Sequence, residues 1–465
     1  MKVKPLSRNT DEYVKQNKED KDRVRRSINP EVHPMQQARE LQRAVNAAKM
    51  ERMFAKPFVA ALDDHTDAIS TLSKHPGSVQ TFISGCYDGQ VKVWNLHDRV
   101  CTHTIDAHKH VVTGSCFIPA EVEAGVSNLF MTCSADKTVK IWSLPNTGDE
   151  YTSSLSKISE ARSIFTADEG LRCIDHHFSK DMFVTGGSVA QLWDHASDKP
   201  ISRYGAESGI PASPVLSIAF NQAERDSFVC ATADNRITLF DTRASYSDRA
   251  GKVVGFTQLQ NVTNMVKWNP YQPNNFVAAC DDGNLYTYDR RMLGVHRNVH
   301  KGHVLSVMAV DFSPTGREFV SASYDNTVRL WDADSGTSRD TYHGRRMNLV
   351  RAVCYSMDSK YVISGSDDAN IRIWKANASA KVGPVKARER DAIKYRKALT
   401  DKFKHVEEVS TILNNRHLPK RVQAIRKQNA EILTTRRRKE KNVRANRKKE
   451  VETVPERKAH IRDSM

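Results

Sequence analysis

The chain has 465 residues, 27% of them charged, and carries a formal net charge of +16. Its eight cysteines include no Cys-x-x-Cys pair, so we expect reduced thiols in an intracellular protein, with no disulfide framework, no metal site and no cofactor. The N-terminus lacks the apolar segment of a secretory signal and no apolar stretch is long enough to cross a bilayer, so we expect no membrane partner.

Positive charge is concentrated at the two ends of the chain. Residues 1–58 hold 14 Lys+Arg against 8 Asp+Glu and residues 376–465 hold 26 against 11, whereas the residues between them hold 31 against 36. Basic ends on a mildly acidic middle indicate an acidic or polyanionic neighbour, although a solvated helix face is the alternative. We predict a basic extension over 1–57, a repeat domain over 58–375 and a basic tail over 376–465.

The N-terminal extension contains one predicted helix, near residues 34–54. Apolar side chains recur there at helical spacing between His33-Pro34 and Lys56-Pro57. The apolar positions are Met35, Ala38, Leu41, Val45, Ala48 and Met53. This spacing suits packing on the side of the repeat domain and docking into a groove of another protein equally well.

The middle of the chain repeats one structural unit. Segments such as YDGQVKVW and ADKTVKIW end on an aromatic residue, and the next such residue follows after 43 to 51 positions. The closing aromatics are Trp94, Trp142, Trp193, Phe240, Tyr288, Trp331 and Trp374. Apolar and polar residues alternate before each of them, as in a strand buried on one face. This period predicts an all-β fold, a seven-bladed β-propeller with helical, basic extensions at both ends.

A propeller must close, because a single blade buries too little apolar surface to stand alone. The segment FVAAL at 58–62 precedes the turn Asp64-His65 that opens the first repeat. We predict that this segment forms the outer strand of the last blade and joins the two ends of the ring.

Three blades resemble the WD-repeat family, in which His, Ser or Thr, Asp and Trp form a buried hydrogen-bond chain. The matching residues are His65, Ser84, Asp88 and Trp94 in the first blade, His108, Thr132, Asp136 and Trp142 in the second, and His303, Ser321, Asp325 and Trp331 in the sixth. Blade three has Gly187 in place of the turn Asp, and blades three to five lack the His. Because the same set recurs in three blades, we predict a structural role for it. No phosphate loop, His-Glu-x-x-His or Gly-x-Ser-x-Gly motif occurs, so we predict no catalytic residues and no enzyme activity.

Two consecutive blades end on aromatic-Asp-x-Arg, as FDTR at 240–243 and YDRR at 288–291. This ending resembles the docking motif of substrate receptors of cullin-four RING ubiquitin ligases. The resemblance implies that a ligase adaptor binds Asp241, Arg243, Asp289 and Arg291. The other interpretation is that Asp follows the aromatic in many blades, as Asp194 and Asp332 do, and that Arg is common in loops.

The tail begins with an amphipathic pattern. From residue 387 to about 413, apolar side chains recur every three or four residues opposite a basic face, which predicts a helix that caps the propeller or binds a partner. The apolar positions are Tyr395, Leu399, Phe403, Val406, Val409 and Leu413. After Leu418-Pro419, where Pro suits a first helical position, a second stripe continues at Val422, Ile425 and Leu433.

The remainder of the tail is dominated by cations. Residues 436–449 are almost free of apolar side chains, so they have nothing to bury and should bind outward. Lys and Arg neutralise phosphates, and no aromatics are interleaved for stacking on bases, which favours folded RNA over single strands. A nuclear or nucleolar import signal is a second expected role, for Arg436 to Lys439 together with Lys448 and Lys449, and the two roles can coexist. The predicted RNA-binding residues are Arg416, Lys420, Arg421, Arg426, Lys427, Arg436, Arg437, Arg438, Lys439, Lys441, Arg444, Arg447, Lys448 and Lys449.

Both ends of the chain resemble one branch of the WD-repeat family. The opening MKVKPLSRNTDEYVKQ and the tail segments HLPK, RRRKEKN and VPERKAH are similar to the Sof-type proteins of the small-subunit processome, and the resemblance covers essentially the whole chain. It implies a non-catalytic scaffold of the nucleus and nucleolus. The implied partners are pre-ribosomal RNA, a small nucleolar ribonucleoprotein and other processome proteins. The tail departs from the family pattern at KKEVET, residues 448–453, where acidic residues interrupt the basic run.

Overall fold

The computed structural model describes residues 35–119, 129–144, 160–204, 213–224, 226–243, 253–381, 383–446, 458 and 460–464. These residues form two compact units. The smaller unit contains the described residues up to Lys56 together with those from Ala378 to Arg416. The larger unit contains Pro57–Asn377 and the described residues from His417 onward. From charge, we expected one tail that begins at residue 376. By packing, the tail is divided after Arg416 between the two units.

The larger unit is built on seven antiparallel sheets among the residues described. From the innermost strand outward, blade one is β2 (Ile69–Lys74), β3 (Thr81–Cys86), β4 (Gln90–Asn95) and β5 (Val100–Asp106), blade two is β6 (Val112–Phe117), β7 (Leu129–Ser134), β8 (Thr138–Ser143) and β9 (Ser163–Thr166), and blade three is β10 (Cys173–His176), β11 (Met182–Gly186), β12 (Ala190–Asp194) and β13 (Ser202–Tyr204). Blade four is β14 (Val215–Phe220), β15 (Ser227–Thr232), β16 (Arg236–Asp241) and β17 (Val253–Leu259), and blade five is β18 (Thr263–Trp268), β19 (Asn275–Cys280), β20 (Asn284–Asp289) and β21 (Met292–Lys301). Blade six is β22 (Val307–Phe312), β23 (Glu318–Ser323), β24 (Val328–Asp332) and β25 (Ser338–Tyr342), and blade seven is β26 (Val350–Tyr355), β27 (Tyr361–Ser366), β28 (Ile371–Lys375) and β1 (Phe58–Leu62).

The ring closes through the first strand of the chain. β1 pairs with β28, with Phe58 opposite Trp374 and Leu62 opposite Ile371. Each innermost strand contacts that of the next blade, and β26 contacts β2 to complete the circle. The predicted seven-bladed all-β propeller and its closing strand are confirmed.

The repeated aromatic positions form the core of the blades. All seven closing aromatics are at most 4% exposed. In six blades the closing aromatic lies opposite a Phe on the preceding strand and stacks on it, as Phe82 does on Trp94 with ring centroids 6.2 Å apart. Such cross-strand pairs stabilise a sheet and fix its register. The turn before β4 needs its glycine, since Gly89 has φ +89° and a Cβ there would lie 2.2 Å from the His108 carbonyl oxygen.

Blade four carries an additional strand from the end of the chain. β29 (Ile461–Ser464) pairs antiparallel with the outer strand β17, with Thr257 opposite Ser464 and Leu259 opposite Ile461. The end of the tail therefore belongs to the larger unit. No feature of the sequence predicted this strand.

The smaller unit joins helices from both ends of the chain. α1 (Gln36–Met53) packs against α2 (Ala387–Lys402) and α3 (Glu407–Asn414). The shared core is Ala44, Val45, Ala48, Leu399 and Val409. At its edge, Lys402 Nζ lies 2.6 Å from a carboxylate oxygen of the buried Glu40. The apolar faces of the two ends thus cover each other, an arrangement that the expected alternatives did not include.

Two details of the predicted helices were wrong. The expected face of α1 is confirmed at its centre, where Val45 and Ala48 are buried, and wrong at its two ends, because Met35 and Met53 are 79% and 71% exposed. Small side chains at this face allow the helices to approach closely. The helix expected from 387 to about 413 is interrupted at 403–406, where Val406 is extended with ψ 133°, so that α2 and α3 are separate helices.

α4 (Lys420–Asn446) follows Pro419, as the sequence predicted, and belongs to the larger unit. Among the described residues, none of the helices combines the length and apolar composition that a membrane span requires.

Candidate nucleic-acid interface

The base of α4 is fixed in the larger unit by a small group of contacts. Leu418 and Val422 are buried. The His417 ring stacks on that of His343, and the Nδ1 of His417 lies 3.2 Å from the Nε2 of His343. Further along the helix, Asn429 Nδ2 donates to the Val304 carbonyl at 3.4 Å. These contacts attach the first turns of α4 to the larger unit.

Beyond its base, α4 is exposed on every side. All residues from 431 to 446 are exposed, a length of about 24 Å. Leu433, expected to continue an apolar stripe, is exposed, whereas Val422 is buried and Ile425 half-buried. The second stripe therefore covers only the first turns of the helix.

The exposed part of α4 carries cations around its whole circumference. Arg436, Arg437, Arg438 and Lys439 are consecutive, and consecutive residues of an α-helix are rotated by about 100°, so these four point to four different sides. Lys441 and Arg444 add two more exposed cations. In the part of the tail that the structure describes, these six side chains make no ion pair.

The other predicted RNA-binding residues fall into three groups. Lys420, Arg421, Arg426 and Lys427 are exposed on the first two turns of α4. Arg416 belongs to the smaller unit, and its guanidinium donates to the carbonyls of Leu413 and Asn415, so it is less available than the sequence suggested. Arg447, Lys448 and Lys449 lie outside the described residues.

Two of the three predicted hydrogen-bond chains are complete. In blade six, His303 Nε2 lies 2.7 Å from Ser321 Oγ and its Nδ1 lies 2.9 Å from Asp325, while Trp331 Nε1 donates to the same Ser321 at 2.8 Å. Blade two repeats this geometry at 2.8, 3.0 and 3.0 Å with His108, Thr132, Asp136 and Trp142. The histidines of both chains are buried in the blades, and the chains satisfy polar groups of the core.

The first blade holds only part of the chain. His65 Nε2 lies 2.6 Å from Ser84, and Trp94 Nε1 donates to Ser84 at 2.7 Å. Asp88 is exposed and accepts from Thr66 and from the backbone of Gln90, so His65 Nδ1 has no hydrogen-bond partner. Burial and the nearby Lys92 charge lower the pKa of His65 to about 4. Assigning Asp88 to this chain from its position was therefore wrong.

Five of the eight cysteines are buried, and Cys101, Cys116 and Cys173 are partly buried. All eight are free. Burial raises the pKa of Cys86 to about 11 and that of Cys133 and of Cys354 to about 12, which keeps these thiols protonated. In the described part of the chain, no three His, Cys, Asp or Glu side chains are grouped as metal ligands.

The paired Asp-x-Arg endings lie at one edge of blades four and five, but their side chains differ. Asp241 and Asp289 each accept the backbone N–H of their own motif's Arg at 3.0 Å, so both carboxylates shape the turn. Arg243 pairs with Asp226 of the same blade. Arg291 is exposed, and the described residues offer its side chain no polar partner. Of the four predicted docking residues, Arg291 is the one presented to solvent without an internal role.

Comparison with known proteins places the chain in a family. The Sof1-like domain model matches residues 376–461, and the WD domain, G-beta repeat model matches 56–95, 99–143, 294–332 and 336–375. A zebrafish (Danio rerio) protein named "DDB1- and CUL4-associated factor 13" is 43% identical over 99% of both chains. "Protein SOF1" of Saccharomyces cerevisiae is 37% identical over 99% of this chain and 94% of its own. The chain belongs to the Sof1-like family of WD-repeat proteins.

A solved structure gives independent support for the ring. The WD40 propeller domain of Doa1 superposes with a TM-score of 0.55 at 17% identity, covering 69% of this chain and 96% of that one, which shows the fold alone. The four matched repeats of this Sof1-like protein fall on blades one, two, six and seven. Three of these are the blades in which the sequence identified the His-containing sets.

The Sof1-like domain contains a contact that sequence reasoning missed. His460 stacks on Tyr286 with ring centroids 4.2 Å apart, and its Nε2 lies 3.1 Å from both Tyr288 Oη and His296 Nδ1. Burial and the neighbouring His296 lower the pKa of His460 to about 4. This residue ends the segment VPERKAH, one of the tail segments that resemble the Sof-type proteins. Nothing in the sequence around His460 indicates that its side chain contacts blade five, whose residues come nearly two hundred positions earlier in the chain.

Proposed function

We propose that this Sof1-like protein is a non-catalytic scaffold of small-subunit ribosome assembly in the nucleolus, whose ring binds proteins and whose helix α4 binds pre-ribosomal RNA. The observation that carries the proposal is the exposed segment 431–446, with six cations arranged around it and a base fixed in the larger unit. The family and the resemblance to Sof-type processome proteins support it. A small nucleolar ribonucleoprotein and other processome proteins are the proposed neighbours.

The physical basis is the neutralisation of phosphates. Each Lys or Arg that contacts a phosphate releases condensed counterions, which gives affinity without sequence preference. A flat polyanion would engage one side of α4 only. Cations on all sides fit a groove or junction of folded RNA, where phosphates surround the helix.

The ring offers a different kind of surface. The Arg351 guanidinium donates to Tyr87 Oη at 2.9 Å and to Asp367 at 3.0 Å, and it lies over the rings of Tyr87 and Tyr324. These residues come from three neighbouring blades at the end of the ring where their turns meet. Partly exposed Tyr and Arg held rigidly in this way are typical of protein-binding hot spots.

The test of the RNA contact uses the purified full-length chain and a stem-loop RNA. Arg436→Gln, Arg437→Gln, Arg438→Gln and Lys439→Gln together should reduce the slope of log affinity against log salt by about three to four, because four phosphate contacts are lost. Gln preserves helix propensity. The matched control removes four exposed cations of the ring, Arg99, Lys109, Lys199 and Arg317, and should leave the slope unchanged. Equal slopes for the α4 variant and the unaltered chain would rule out the tail contact.

A second candidate function is substrate reception for a cullin-four ligase. Several relatives carry the name "DDB1- and CUL4-associated factor 13", including a human protein 40% identical to this chain. Arg291 is exposed in the motif that suggested adaptor docking. Replacing Arg243 and Arg291 by Ala should reduce co-purification with the ligase adaptor. The control Arg297→Ala, in blade five like Arg291, should not reduce it. Undiminished co-purification of the double variant would exclude this candidate.

A further inference from the structure

The smaller unit has a basic surface on α2, separate from the RNA contact proposed for α4. Leu399 and Tyr395 of α2 face α1 and α3 in the core. Arg390, Lys394 and Lys397 are spaced four and three residues apart, so they lie in line on one face of α2, roughly opposite Leu399. All three are exposed, and the line they form is about 10 Å long. We call this face the α2 stripe.

The charge of the α2 stripe is not balanced within the unit. Residues 35–56 and 378–416 hold 15 Lys+Arg against 7 Asp+Glu. Two of these acids are paired elsewhere, Glu40 with Lys402 and Glu389 with Lys381. Within the described residues, the three side chains of the stripe form no ion pair. Like charges three and four residues apart weaken an isolated helix, so a bound polyanion would relieve a repulsion that the unit leaves in place.

We propose that the α2 stripe is a second RNA contact, in which Arg390, Lys394 and Lys397 bind consecutive phosphates of one strand running along the helix. The proposal goes beyond the tail contact and rests on the proposed function for the identity of the RNA. The stripe and α4 belong to different units of the chain. Two separate contacts on one RNA raise its apparent affinity through effective concentration, without requiring either to be strong alone.

The composition of the face favours phosphates over an acidic protein. Protein interfaces are centred on buried aromatic or apolar anchors. Beside the three cations, Ile393 is the neighbouring apolar residue of α2 that is substantially exposed, at 44%. Three aligned cations with little apolar surface resemble the positioning contacts that proteins make to nucleic-acid backbones.

The experiment uses the full-length chain, a labelled stem-loop RNA and a titration of salt. Arg390→Gln, Lys394→Gln and Lys397→Gln together should lower the slope of log affinity against log salt by about two to three. Helix content, followed by circular dichroism, should be retained because like charges are removed. The ring triple variant Lys109→Gln, Lys199→Gln and Arg317→Gln is the matched control and should keep the full slope.

The outcomes separate this inference from the tail hypothesis. If the α4 variant lowers the slope and the α2 variant does not, the α2 contact is overturned and the tail contact stands. If only the α2 variant lowers it, the tail contact fails and the stripe remains an RNA site. If the α2 variant loses binding to a poly-glutamate peptide while RNA binding is unchanged, the stripe is a site for an acidic protein and the inference is wrong.

Discussion

At the level of single residues, the blades differ in how fully their buried polar groups are paired. Asp325 is buried and lies 2.9 Å from His303, whereas Asp88 is exposed and does not reach His65. Asp325→Ala would remove the acceptor 2.9 Å from His303 Nδ1 and leave that buried nitrogen with the more distant Thr327 Oγ1 at 3.4 Å, which we expect to cost about 1–3 kcal/mol. We expect Asp88→Ala to cost less than half as much. Denaturant unfolding of both variants measures the difference, and equal losses would contradict the assigned geometry.

The buried histidines make stability depend on pH. Burial lowers the pKa of His300 to about 4, and both ring nitrogens are occupied, Nδ1 with the Ser335 carbonyl at 2.6 Å and Nε2 with Thr287 Oγ1 at 2.9 Å. An unfolded His binds a proton near pH 6.5, so the unfolded state gains protons first as pH falls from about 6.5 towards 4. The free energy of unfolding therefore falls across this window.

The size of this effect can be measured at one residue. His300 should account for about 2 kcal/mol of the loss of unfolding free energy between pH 7.5 and 5. In His300→Asn, the loss of unfolding free energy between these two pH values should be smaller by that amount. His110 is exposed, so His110→Asn should leave the loss unaltered. A His300 variant with the full pH dependence would show that its imidazole is not buried in the neutral form.

At the level of elements, the joining of the two chain ends is the least expected feature. Ala44 is fully buried where α1 meets α2 and α3, whereas Asn46 on the same helix is exposed. Ala44→Glu places a carboxylate in this small core and should destabilise the helical unit by about 3 kcal/mol or more. Amide hydrogen exchange should accelerate in α1 and α2 and stay constant in the strands. Asn46→Glu is the control, and protection of α2 that persists in Ala44→Glu would contradict the packing.

The end of the tail should protect the edge of blade four. His460→Ala removes the stacking on Tyr286, so β29 should detach and the amides of β17 from Thr257 to Leu259 should exchange faster. Arg462→Ala, an exposed residue of the same strand, should leave exchange unaffected. Unchanged protection of β17 in the His460 variant would show that the strand does not depend on this histidine.

The sequence predicted the features that depend on local patterns, and did not predict contacts between residues that are far apart in the chain. The repeat aromatics, the closing strand and the start of α4 directly after Pro419 were predictable, because alternation, period and proline geometry are local properties. The partners of α1 and of His460 were not predictable, since these contacts join residues more than 160 positions apart. The sequence also did not predict that Asp88 accepts a hydrogen bond from Thr66 and not from His65, because small differences in the geometry of the turn decide which side chain reaches the carboxylate.

At the level of the whole molecule, the chain separates two kinds of surface. The ring contains more Asp+Glu than Lys+Arg and holds its polar groups in internal chains, while the basic residues are concentrated on α4 and on the helical unit. Under the proposed function, this separation would fix the orientation of the RNA, since cations spread over the ring would bind RNA without a fixed orientation. We therefore expect α4 to be the RNA contact of the tail.

Protein–RNA crosslinking in native ribosome precursors, followed by peptide mapping, tests this claim most directly. We expect RNA adducts on peptides from Lys420–Asn446, concentrated between residues 431 and 446, where every side chain is exposed. Adducts confined to the propeller, with none on α4 in particles that contain the protein, would contradict it.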